Sequence, residues 1–89
     1  MAVFTHEVTV LDPIGLHARP AGQIVKLVKE SGIDVKIGPS ETELVAGNSA
    51  LRLMAMKAST GSKLVVIVEH DDDQAAAALV AQIQEFLKG

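Results

Sequence analysis

"KLVVIVE", residues 63–69, is the most apolar strand candidate in the chain. Its β-branched run Val65 to Val68 fits a pleated surface, and the lack of polar alternation suits a central strand with neighbours on both edges. On its C-terminal side, "HDDDQAAAALVAQIQEFLKG" (70–89) has helical periodicity, with Ala76, Leu79, Val80, Ile83, Phe86 and Leu87 as the buried stripe. Asp71 and Gln74 have capping-box spacing, and the acidic run lies at the positive end of the helix dipole. Consecutive residues rarely converge on one ion, so capping is preferred here to a metal site at His70 to Asp73.

On its N-terminal side, "STGS" (59–62) breaks a short apolar helix, "ALRLMAMKA", that Ser49 opens. Before it, "IDVKI" (33–37) and "TELVA" (42–46) read as a hairpin with its turn at "GPSE" (38–41). Residues 18–30 form an amphipathic helix: Ala21, Ile24, Val25 and Val28 on one face, Arg19, Gln23, Lys26 and Glu30 on the other, with Gly32 at its C-terminus. "VFTHEVTV" (3–10) alternates as a half-covered strand. His6 lies on its apolar face, a sheet-edge side chain rather than a ligand.

The order β-α-β-β-α-β-α predicts an α+β domain in two layers, with four strands and the helices on one face. Pattern alone leaves the strand order open, and a ferredoxin-like sheet fits the first six elements about as well. Eighty-nine residues, 48% apolar, make one domain over 1–89 able to bury a core. No cysteine is present, so thiolate chemistry and cysteine-ligated metals are excluded. A net charge of −3 and two aromatic residues, Phe4 and Phe86, argue against nucleic acid as a partner. With no leader pattern and no apolar run of spanning length, a soluble, cytoplasmic protein is expected.

"DPIGLHARPAG" (12–22) carries the chemistry. An Asp-Pro…Gly turn leads to His17 at the start of the helix, beside the unpaired N–H groups of the first turn, which favour an anion. That position, with Arg19 nearby, suits a neutral imidazole attacking a phosphoryl donor, whose transferred group the N–H groups and guanidinium can then hold. Gly15 keeps the approach clear, and Pro20 early in the helix sacrifices no intrahelical bond. No second catalytic residue stands at a comparable position, so His17 reads as the carrier of a group rather than a member of a triad. An isolated His-x-Arg would ordinarily be a helix-start residue and a solvated charge. The joint presence of Gly, His, Arg and Pro at a strand-to-helix junction weighs against that.

"GLHARPA", with this element order and the "NSALRLM" segment, closely resembles the histidine-containing phosphocarrier (HPr) family of the bacterial phosphoenolpyruvate:sugar phosphotransferase system, along essentially the whole chain. The resemblance implies an open-faced β-sandwich with a four-stranded antiparallel sheet, order 1-4-2-3, and three helices on one face. It implies a carrier and not an enzyme. His17 would take the phosphoryl group on Nδ1 from phosphorylated enzyme I and pass it to a histidine of the IIA component of a sugar permease, with Arg19 assisting. No cofactor or metal is implied. Docking would use Leu16 and Pro20 with Ala50, Leu51 and Met54, and a monomer is expected because the carrier needs that face free. Ser49 matches the family's regulatory serine, which would bring in HPr kinase/phosphorylase and a transcriptional regulator as partners.

The chain departs from the family at Ile14, where many members have a polar residue, and at Asn48 and Ala50, which flank Ser49. It also has an apparent extra residue near "GPSE". Two neighbouring readings keep the chemistry, in the nitrogen-related branch or beside dihydroxyacetone kinase components. A third, of another class, is a small-molecule-binding regulatory domain, which would need no "GLHARP".

Overall fold

A computed structural model describes residues 2–88. The chain forms β1 (Ala2–Thr9), α1 (Ala18–Ser31), β2 (Asp34–Ser40), β3 (Glu43–Ala46), α2 (Ala50–Ala55), β4 (Lys63–His70) and α3 (Asp73–Phe86). The sheet order is β1-β4-β2-β3 and every neighbouring pair is antiparallel. The "KLVVIVE" strand is therefore central, as its apolarity requires, with Val8 paired to Leu64 on one edge and Val35 to Val68 on the other.

Strand alternation decides which face the helices cover. Val8, Leu64, Val66, Val68, Val35 and Ile37 point into one core with Ile24 and Val28 of α1, Leu53 of α2, and Leu79, Val80 and Ile83 of α3. Ile24, Ile37, Leu53, Leu64 and Ile83 are each at most 2% exposed, and burying such a side chain contributes roughly 1.5–3 kcal/mol. His6, opposite Val66 on edge strand β1, is half-buried at the margin of this face.

Two local expectations shift. β2 continues through Gly38, Pro39 and Ser40, so the hairpin turn falls at Glu41 and Thr42 rather than over 38–41. The β2–β3 register slips between Ile37 and Ser40, and the backbones approach so closely that a Cβ on Gly38 would overlap the Glu43 carbonyl. At α3 the N-cap is Asp72, not Asp71: its carboxylate accepts from Gln74 N–H at 3.0 Å, while His70 Nδ1 accepts from Asp72 N–H at 2.9 Å. Three consecutive aspartates offer the same chemistry, and the chain's path selects among them.

The segment after β1 is tied down from two sides. Gln84 of α3 acts as a substitute strand partner at the sheet edge, its Oε1 accepting from Thr9 N–H at 2.9 Å and its Nε2 donating to the Thr9 carbonyl at 2.8 Å. The Leu87 carbonyl then accepts from the N–H groups of Leu11 and Asp12, both at 2.8 Å. From the other side, the segment before β4 bonds Val10 twice, through the Ser62 carbonyl (2.9 Å) and Gly61 N–H (2.7 Å). The loop that presents His17 is thus anchored at its flank by backbone bonds and by the Gln84 amide.

Candidate functional site

His17 is the N-cap of α1, with extended backbone (φ −111, ψ −170) and no side-chain capping bond. Its carbonyl accepts the first helical bond from Ala21 N–H at 3.1 Å, so Pro20 sits where its missing N–H costs no helical bond. The bend that aims the ring comes from Gly15, at φ +90. There a Cβ would lie 2.7 Å from the Ala58 carbonyl oxygen, the same oxygen that accepts from Leu16 N–H. Gly15 is therefore required by backbone packing against Ala58.

Asp12, which the sequence presents only as part of a turn, is a site residue. Among the described residues it is the one buried charged side chain, 6% exposed. Its Oδ2 is 3.0 Å from His17 Nε2, and its Oδ1 accepts from Ile14 N–H at 2.9 Å. The carboxyl is held below its ordinary value of 3.8, chiefly by the Ile14 N–H bond and then by the contact with His17. Burial opposes this and the nearby Arg19 charge adds to it. The signal in the sequence was the Asx-turn pattern Asp-Pro-Ile-Gly, which marks the turn but not where the second carboxylate oxygen points.

The expected pair His17 and Arg19 line one cleft with Ile14, Gln23 and, from the end of α3, Glu85 and Phe86. The His17 side chain is 31% exposed there, and Arg19 is exposed. With Nε2 facing Asp12, Nδ1 is the ring nitrogen without a protein partner among the described residues.

The expected docking residues divide. Leu16 (6% exposed) and Pro20 are buried, because the Gly15 bend turns Leu16 inward and the first turn of α1 lies against the core. They therefore cannot form an exposed docking surface. Leu51 is 77% exposed, Ala50 and Met54 are half-buried, and Met54 packs against the core margin. Ile14, the departure from the family pattern, is 75% exposed and adds apolar surface at the rim of the cleft. Ser49 is the N-cap of α2 as expected, its Oγ accepting from Arg52 N–H over a long 3.4 Å.

Residues 4–88 match the family described as "PTS HPr component phosphorylation site", and the chain belongs to that family, the HPr phosphocarriers of the phosphotransferase system. It is 38% identical over 74 residues to the phosphocarrier protein HPr of Borreliella burgdorferi, covering 83% of this chain and 85% of that one. It is 40% identical over 86 residues to the HPr of Lysinibacillus sphaericus, covering 91% and 92%. The fold is that of the crystal structure of HPr from Bacillus anthracis, with a TM-score of 0.79 over 97% of this chain and 98% of that one at 24% identity.

Proposed function

We propose that this phosphocarrier accepts a phosphoryl group on Nδ1 of His17 from phosphorylated enzyme I and delivers it to a histidine of IIA components of sugar permeases. The observation that carries the reading is the ring's geometry: anchored through Nε2 at 3.0 Å, part-exposed in a cleft shared with Arg19, with Nδ1 unpartnered among the described residues. In the transfer, the Nδ1 lone pair forms the new N–P bond. The bond from phosphorus to the donor's nitrogen breaks, and that nitrogen keeps the electron pair. The first-turn N–H groups of α1 and the Arg19 guanidinium supply donors and positive charge for the phosphoryl oxygens.

Both partners dock on the face that presents the cleft. Leu51, Ala50 and Met54 of α2 provide its apolar part, and the exposed Ile14 stands at the rim of the cleft. Methionine repacks easily, which suits a surface that must meet unrelated partners. Ser49, at the start of the same helix, is the candidate regulatory position for a serine kinase.

The test is incubation of the purified protein with enzyme I, Mg²⁺ and phosphoenolpyruvate. One acid-labile, alkali-stable phosphate per chain is expected, with none on His17→Ala, whose circular dichroism should match wild type. Labelling that survives in His17→Ala, at His6 or His70, would overturn the assignment.

A further inference from the structure

We infer that Asp12 is a positioning residue that sets the tautomer of His17, keeping the ring proton on Nε2 and the lone pair on Nδ1. The inference deepens the carrier reading and rests on it for its consequence, but its geometry stands alone. Every hydrogen-bonding group of Asp12 is engaged. Its N–H donates to the Leu87 carbonyl, and its carbonyl accepts from Gly15 N–H and the Thr60 hydroxyl. One carboxylate oxygen takes Ile14 N–H and the other faces His17 Nε2. Three bonds hold the Asp12 backbone and two hold its carboxylate, so the side chain is fixed between Ile14 N–H and the His17 ring. An ionised carboxylate only accepts, so a 3.0 Å contact with a neutral imidazole requires the proton on Nε2.

The consequence for transfer follows from charge. When Nδ1 bonds to phosphorus, the ring keeps its Nε2 proton and becomes formally cationic, while the electron pair of the broken bond leaves with the donor nitrogen. The Asp12 carboxylate then faces that positive charge, as a buried aspartate does for the histidine of a serine-protease triad. Arg19 and Glu85 are the other charged groups lining the cleft.

Asn at this position makes the sharpest test, because it keeps the shape and has only one acceptor. Ile14 N–H claims that acceptor, since a donor placed there would oppose another donor. The amide NH₂ then faces His17 and demands a lone pair on Nε2, which moves the proton to Nδ1 and blocks the nucleophile. Asp12→Asn should therefore impair acceptance more than Asp12→Ala, which leaves the tautomers free to mix.

The experiment is long-range ¹H–¹⁵N NMR of the whole chain labelled at histidine, at a pH where the ring is neutral. Phosphorylation is then followed with phosphoramidate, a small donor that needs no docking. Expected are the Nε2–H tautomer in wild type, the Nδ1–H tautomer in Asp12→Asn, and Nδ1-phosphohistidine forming about tenfold or more slowly in Asp12→Asn, with Asp12→Ala between. A wild-type spectrum showing Nδ1–H, which needs no variant to fold, would overturn the inference. So would Asp12→Asn reacting at the wild-type rate. Failure of wild type to take phosphate on His17 from any donor would instead overturn the carrier reading, leaving the tautomer to be judged from the unphosphorylated protein.

Discussion

Gly15 is held by two constraints at once, a φ of +90 and a backbone oxygen 2.7 Å from where a Cβ would stand. Gly15→Ala should cost roughly 1–3 kcal/mol from the backbone conformation alone, measured by urea unfolding, with more if Ala58 has to move. Wild-type stability in that variant would mean the bend is not required. At Asp12 the folded carboxyl lies below its ordinary 3.8, so its contribution to stability is present above that value and is lost as pH falls through the lower folded value. The stability gap between wild type and Asp12→Ala should therefore shrink on acidification from about pH 5 to about pH 2, and a gap independent of pH would contradict the contact. His17 and Arg19 were legible in the sequence because residue type and placement at a helix start already imply anion chemistry. Asp12 was not, because its meeting with a ring five residues later depends on the curvature that Gly15 and the Ala58 carbonyl impose.

Helices and strands were legible where periodicity is strong. α1, β4 and the stripe of α3 follow the sequence pattern closely, while the ends moved by a residue or more where several residues could cap or turn equally well. The contact that joins α3 to β1 was invisible, since Gln84 and Thr9 lie 75 residues apart and each reads as an ordinary surface residue. Removing this two-bond clamp in Gln84→Ala should cost about 1–3 kcal/mol, and the Thr9 amide should exchange faster than its strand neighbours. Unchanged exchange at Thr9 would show that water replaces the clamp without loss. For α2, the long Ser49 cap bond of 3.4 Å places Ser49→Ala at the low end of the usual capping loss, about 0.5 kcal/mol. Ser49→Asp should fold normally and accept phosphate from enzyme I more slowly, through added negative charge beside the docking face, with the deficit fading as salt rises. An equal rate at low ionic strength would make Ser49 a cap alone.

Across the whole molecule, the two-layer class followed from element order, and the central place of β4 from its apolarity. The remaining strand order did not follow from pattern, because it rests on pairings between segments far apart in sequence, and two topologies bury the same apolar faces. Likeness to the HPr family supplied the order 1-4-2-3, which the sheet has. The topology brings the end of β1, the start of α1 and the end of α3 to one edge, where Asp12, His17, Arg19 and Glu85 meet. A carrier built this way must release what it accepts. The most direct measurement is a chase: protein labelled with radioactive phosphate on His17, freed of enzyme I, is mixed with a IIA component, and label is followed on both proteins. Label should leave His17 and appear on the IIA histidine, and return when the IIA protein is the one labelled at the start. Label that stays on His17, or leaves only as inorganic phosphate, would contradict the carrier reading.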